Sequence, residues 1–360
     1  MLRNIISLTT FMLYGTSALA QVPNVATDIA PIQSLVAQVM GDLGAPTVLM
    51  EKGASPHSYA LRPSDAKNLQ RADVVIWTGD ALAPWLGKAI DTLAGDAVSV
   101  PLLEHDATIT LDFREGITFD DHDHEDHDED HHDEEGHEEE HVEEHHEDED
   151  HTDHSDDHDA HDDHDEDHDG GGAHAEHDHD GGGAHAEHDH DGIDPHAWLD
   201  PQNAIAWLDV IADTLSEQDP ENAQAYADNA AQSAVSLGDL TATLQNQLAD
   251  DLDVKFVVFH DAYHYFETRF GLAALGSISL GDGSAPSPAR ISELQHMIAE
   301  KGVDCVMSEP QFNPGLVKTQ LEGTSAHTSV IDPLGQGIPA GPDFYAKLIQ
   351  GVADSFDTCR

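Results

Sequence analysis

Four short segments of the sequence place metal-binding side chains next to turn-forming residues. They are Ser55-Pro56-His57-Ser58-Tyr59, Asp194-Pro195-His196-Ala197-Trp198, Phe259-His260-Asp261-Ala262-Tyr263 and Ile331-Asp332-Pro333-Leu334-Gly335. Three imidazoles and a carboxylate form a donor set that suits zinc, which takes His nitrogen and Asp oxygen at about 2.0–2.2 Å and prefers four ligands. A fourth protein ligand would close such a site, leaving no position for an activated water. The chemistry expected of it is binding rather than hydrolysis. Taken singly, each histidine reads more readily as a hydrogen-bonded structural residue than as a ligand. Copper and nickel also accept imidazole, so residue type alone does not single out zinc.

Around these segments the sequence alternates strand-like and helix-like stretches. Asn24–Thr27, Thr47–Met50, Asp73–Trp77 and Val98–Leu103 read as strands, and Pro31–Met40, Pro63–Arg71 and Ala81–Leu93 as helices. After position 192 come helices over Pro201–Ser216 and Glu221–Asp250, strand Val254–Phe259 and helix Asp261–Phe270. Helix Pro288–Lys301, strand Asp304–Ser308, helix Pro314–Gly323, strand Thr328–Ile331 and helix Pro342–Asp357 complete the chain. Alternation of this kind predicts an α/β protein with parallel sheets covered by helices. His260 and Asp332 each follow a predicted strand directly, and His57 sits in the loop after another. Ligands in such folds bind beyond the carboxyl ends of strands. The uninterrupted Glu221–Asp250 stretch predicts a long connecting helix, a rigid beam between two lobes.

The 360 residues carry 72 acidic side chains against 14 basic ones, a formal net charge of −58. Residues 120–191 hold 36 of the acids, 21 of the 28 histidines and no Lys or Arg. So acidic a surface repels nucleic-acid phosphates and anionic lipid. With Val142 as its one aliphatic residue larger than Ala, this segment cannot build a core and is expected to be disordered without metal. It ends in an 11-residue tandem repeat, Gly-Gly-Gly-Ala-His-Ala-Glu-His-Asp-His-Asp, at 170–180 and 181–191. Its imidazoles are expected to bind divalent metals weakly and at several places, more weakly as they protonate below about pH 6.

The first twenty residues have the form of an export signal: Arg3, the short apolar run Ile5–Leu13, and small residues Ala18-Leu19-Ala20 before a cleavage point near Gln21. The expected organisation is signal 1–20, an N-terminal lobe 21–220 carrying the 120–191 insertion, a connecting helix 221–250, and a C-terminal lobe 251–360. In an oxidising compartment the two cysteines, Cys305 and Cys359, read as one disulfide, with two buried free thiols as the alternative. His264 lies four residues after His260, a spacing that can chelate on one helical face. It is read instead as an exposed or supporting residue, and His105, His296 and His327 as surface residues.

The sequence resembles the periplasmic high-affinity zinc-uptake binding proteins, the zinc branch of the metal receptors that serve ABC transporters. The resemblance rests on Gly53-Ala54-Ser55-Pro56-His57-Ser58-Tyr59 with Arg62-Pro63-Ser64-Asp65, on Asp194 to Pro201, on Val258 to Tyr263, on Glu309-Pro310-Gln311-Phe312 and on Asp332-Pro333-Leu334-Gly335. It implies that His57, His196 and His260 are zinc ligands and Asp332 an optional fourth. Manganese and iron receptors of the family typically carry a carboxylate where His260 stands. The resemblance also implies a Cys305–Cys359 disulfide, Zn²⁺ as transported ligand rather than catalytic cofactor, and two lobes joined by one long helix. Its partners would be an inner-membrane ABC permease and periplasmic zinc donors, the receptor itself a monomer. Alternatives are a periplasmic zinc buffer or chaperone, and a three-histidine zinc hydrolase.

Overall fold

In the computed structural model, which describes residues 22–114, 118–119, 192–279, 287–312 and 326–359, short apolar runs form two four-stranded parallel sheets. The first contains β1 (Val25–Thr27), β2 (Thr47–Val48), β3 (Val74–Trp77) and β4 (Val98–Pro101) in the order β2-β1-β3-β4. The second contains β5 (Phe256–His260), β6 (Ala274–Ser279), β7 (Cys305–Ser308) and β8 (His327–Val330) in the order β6-β5-β7-β8. All six pairings are parallel, and the two sheets share one strand order. The fully buried runs of β3 and β5 are what strands covered on both faces require. The expected signal, the 120–191 insertion and the expected 314–323 helix lie outside the described residues.

The helices are α1 (Ala30–Met40), α2 (Pro63–Leu69), α3 (Pro84–Leu93), α4 (Pro201–Gln218), α5 (Ala223–Gln247), α6 (His264–Phe270), α7 (Pro288–Lys301) and α8 (Phe344–Asp354). Five of them, α1, α2, α3, α4 and α7, place proline in the first turn, where its missing N–H costs nothing. The sequence pattern predicts α3 from Ala81; residues 79–83 instead turn, with Leu82 and Ala83 N–H donating to the Gly79 carbonyl. The pattern also predicts α6 from Asp261, but the chain first makes a tight turn, Ala262 N–H to His260 carbonyl at 2.9 Å. His260 is therefore a strand residue and His264 a helix residue, so the two do not share a helical face. Strand β6 was not anticipated. Its Ala-Leu-Gly-Ser-Ile-Ser sequence has no clean alternation, and it is a strand because it pairs with β5 across an irregular register.

Helix α5 has 25 residues, about 38 Å. One stripe of it is buried: Tyr226, Ala230, Leu237 and Leu244. That stripe packs on α1 and α4 of the first half and on α8 of the second. Gln350 donates to Gln247 at 2.9 Å, and Gln247 to Asp354 at 2.9 Å, fixing the C-terminal end of the beam. The segment before α8 returns to α1, where Ser34 Oγ lies 2.9 Å from the Gly341 carbonyl and accepts the Tyr345 N–H at 3.0 Å. One apolar core runs from Val25 to Cys359 through both sheets. Cys305 and Cys359 are joined, so the two thiols are not free; the bridge ties the first residue of β7 to the turn after α8. Among the described residues, no helix is long and apolar enough to cross a membrane.

Candidate metal centre

The carboxyl end of β5 sits at the middle of its sheet, where the order of strands reverses between β5 and β7. Such a switch point opens a crevice for ligands. His260 is the last residue of β5, and Glu309 follows β7 directly. His196 lies just ahead of a single helical turn, Ala197–Leu199, that leads into α4. His57 lies in the turn Pro56–Ser58 beyond β2.

These three histidines converge. One ligand nitrogen from each lies within 4.8 Å of the others. Their ring centroids are 5.3 Å apart for His196–His260, 5.4 Å for His57–His196 and 6.4 Å for His57–His260. Tetrahedral zinc would place such nitrogens ~3.4 Å apart, so little movement is needed to share an ion. The space between the rings is about 20 Å³, room for one water-sized body and far too small for an organic solute. Pro56, Trp198, Phe312, Pro333 and Leu334 line it and keep its surroundings apolar.

Carboxylates from behind set the rings. Asp194 Oδ1 lies 2.7 Å from His196 Nδ1 and also accepts the His196 backbone N–H at 2.9 Å. Glu309 Oε1 lies 2.6 Å from His260 Nδ1. With Nδ1–H directed at a carboxylate, the network assigns each ring the tautomer whose Nε2 lone pair faces the centre. His196 Nε2 is buried without a hydrogen-bond partner. A buried polar atom left so costs about 1–3 kcal/mol, which a bound cation would recover. In the sequence, Asp194 and Glu309 stand out only as motif residues. Asp194 could have been suspected from its closeness to His196, whereas Glu309 is 49 positions from His260.

Burial pushes the Asp194 carboxyl up to about 7 and His196 well below the ordinary imidazole value. His260 is also desolvated, the largest single influence and one that opposes its charged form, yet the Glu309 carboxylate on its Nδ1, together with Asp261 and Asp194, outweighs this and raises it. His196 is thus neutral and ready to coordinate at neutral pH, while His260 holds a proton more firmly. Converting Glu309 to Gln is expected to weaken metal binding by about 10-fold or more, since losing an orienting carboxylate typically costs that much. Competition against a chromophoric chelator measures it, and unchanged affinity would remove the orienting role.

The structure does not place Asp332 in the group. Its Oδ1 accepts from Gln311 Nε2 and from the N–H groups of Leu334 and Gly335, each at 3.0 Å, and its Oδ2 accepts from Gln336 N–H at 2.6 Å. The carboxylate thereby builds the Asp332–Gln336 turn. Gly335 is required there: its φ is +63°, and a Cβ would meet Phe344 at 2.7 Å. His264 Nδ1 is 4.0 Å from Asp194 Oδ2, beside the orienting carboxylate and outside the group. His105, His296 and His327 are exposed, as expected.

The motif residues around the ligands are anchored. Trp85 Nε1–H donates to the Pro56 carbonyl at 2.8 Å, steadying the His57 turn. Asp200 caps α4 through Gln202 N–H and receives both Nε and Nη2 of Arg269 at 2.7 Å. Trp198 Nε1–H reaches the Pro333 carbonyl at 2.9 Å, and Tyr265 O–H the Asp194 carbonyl at 2.8 Å.

Two parallel α/β sheets are thus joined through a long helix, and three histidines converge from the turn beyond β2, the segment ahead of α4 and the end of β5. Residues 25–359 match the family described as ZnuA, zinc-uptake complex component A, periplasmic. Over 349 residues the chain is 41% identical to the high-affinity zinc uptake system protein ZnuA of Paracoccus denitrificans (strain Pd 1222), covering 96% of this chain and 95% of the relative. The protein of that description from Brucella abortus (strain 2308) is 41% identical over 345 residues, covering 96% and 94%. A crystal structure described as ZnuA agrees in fold with a TM-score of 0.65 at 19% identity, covering 94% of this chain and all of the other. The chain belongs to the ZnuA family.

Proposed function

We propose that this protein is a periplasmic receptor that captures Zn²⁺ through His57, His196 and His260 and delivers it to an inner-membrane ABC permease. The observation that carries the reading is the convergence of three imidazoles with His196 Nε2 buried and unpartnered. The relatives described as high-affinity zinc uptake proteins support zinc as the ion. An all-imidazole set also favours zinc over manganese, which prefers hard oxygen. Residues 1–20 act as the export signal. The 120–191 segment serves as accessory, low-affinity capture, its 21 histidines supplying sites weaker than a preformed one because ordering the chain around each ion costs entropy.

The deciding experiment is zinc stoichiometry with chelator competition on the wild type, a 120–191 deletion and a His57/His196/His260 triple Ala variant. The deletion is expected to keep one tight ion and the triple variant to lose it; a tight ion retained by the triple variant sinks the reading. Three imidazoles and a water complete the coordination, because Asp332 already serves four donors. Asp332→Asn is therefore expected to change the affinity of the first zinc equivalent by less than about threefold while lowering the melting temperature, about 1 kcal/mol per lost hydrogen bond. A hundredfold loss of affinity would make Asp332 a ligand.

Zinc binds neutral imidazole, so protons compete with it. Affinity is expected to hold at about pH 7.5 and fall below about pH 6.5, with His260, whose free form is raised, taking up a proton before His196, whose free form is lowered. Competition titrations across that range check the slope; affinity independent of pH would exclude imidazole ligands.

A further inference from the structure

Arg114 ends the described segment 111–114 and belongs to none of the motifs. That segment pairs with the residues leading to His196. Asp112 and Ile193 form an antiparallel bridge, Phe113 N–H donates to the Gly192 carbonyl at 3.0 Å, and Asp194 N–H donates to the Leu111 carbonyl at 2.8 Å. Thr118 and Phe119 meet the second sheet at its edge strand, where Thr118 bridges Gly276 and Phe119 N–H donates to the Leu275 carbonyl at 3.1 Å.

The Arg114 guanidinium forks onto two carboxylates. Nε meets Asp261 Oδ2 at 3.0 Å and Nη2 meets Asp261 Oδ1. Nη1 meets Glu267 Oε2 at 2.6 Å and Nη2 meets Glu267 Oε1 at 3.0 Å. The Phe119 ring covers the cation at 3.9 Å. The side chains of Arg114, Asp261 and Glu267 are 16%, 10% and 2% exposed. Glu267 also receives the Ala274 N–H at the start of β6. Asp261 is the residue after His260. One guanidinium thus connects the backbone that carries His196 to the turn that follows His260.

A buried ion pair is weak evidence for stability, since apolar residues of similar volume often do as well. What a planar fork with fixed donors does supply is geometry. We propose that Arg114 is a positioning residue for metal binding: it holds the His260–Asp261 turn against the Gly192–His196 segment, so that the two ligand rings keep the separation an ion requires. The proposal rests on the reading that these histidines hold zinc. Lysine at this position would keep the charge but could not grip both carboxylates bidentately.

The test uses the full chain as wild type, Arg114→Gln, Arg114→Lys and the triple His variant. Three quantities are read: affinity for the first zinc equivalent by chelator competition, the visible absorption band of the first Co²⁺ equivalent, and melting of the metal-free protein. Arg114→Gln is expected to weaken the first equivalent by about 10–100-fold, the usual cost of losing an outer support, and to alter the Co²⁺ band. Arg114→Lys is expected to fall between it and the wild type. Wild-type affinity and an unchanged band in Arg114→Gln overturn the proposal, even if melting drops, because Arg114 then serves the fold alone. Failure of both Arg114 variants to fold overturns it in the same way. A triple His variant that still holds a tight ion defeats the zinc-site reading instead, whatever Arg114 does.

Discussion

Replacing His260 with Ala is expected to lower affinity for the first zinc equivalent by about 10²–10³-fold. Protein zinc sites bind with about 10–16 kcal/mol in total, or about 3–4 kcal/mol for each of four ligands. The neighbouring histidine cannot substitute. His264 begins α6, on the other side of the tight turn, with its Nδ1 4.0 Å from Asp194 rather than among the ligand nitrogens. The loss is expected to be largest in a protein also lacking 120–191, whose imidazoles otherwise recapture the ion. His260→Glu should lose zinc affinity as well while gaining relative preference for manganese, because a hard oxygen replaces imidazole. Chelator competition with both metals measures this. A His260→Ala protein that binds its first zinc as tightly as the wild type would place the site elsewhere.

The second large effect is expected from the Cys305–Cys359 bridge. It closes a loop of 54 positions, which the chain-entropy account values at about 4 kcal/mol. Both sulfurs are buried, and Phe356 packs in the same core against Phe256 of the central strand β5, ring centroids 5.1 Å apart. A Cys305→Ala/Cys359→Ala protein is expected to lose roughly 2–4 kcal/mol of unfolding free energy. Urea denaturation of the metal-free protein checks it. Comparison belongs at the extrapolated free energy rather than the midpoint, since removing a cross-link also expands the unfolded chain and raises the slope. Zinc affinity should change far less than in the His260 variant, because Glu309, just past β7, is held at the site by the strand pairing on both sides of β7. Equal stability with and without the bridge would contradict the expectation.

The sequence alone determined the kinds of element and pointed to the three histidines that converge. Prolines at helix starts, apolar runs in β3 and β5, and histidines set beside strand ends are local signals, carried by backbone sterics and side-chain spacing that act over a few residues. The parallel architecture followed from strand–helix alternation, and the long helix from a stretch uninterrupted by proline and rich in Ala, Gln and Leu. Tertiary structure decided what local signals do not encode. It made Ala274–Ser279 a strand, through pairing with β5 rather than through its own composition. It ended the β5 signal at His260 and delayed α6 to His264, separating two histidines that spacing alone would place on one helix. It gave Asp332 to a turn, Glu309 to His260 and Arg114 to Asp261 and Glu267. The contacts of Glu309 and Arg114 join residues 49 or more positions apart. Which carboxylate faces which nitrogen at 2.6 Å depends on how whole sheets and helices pack, because a displacement of one ångström breaks a hydrogen bond while leaving every local propensity satisfied.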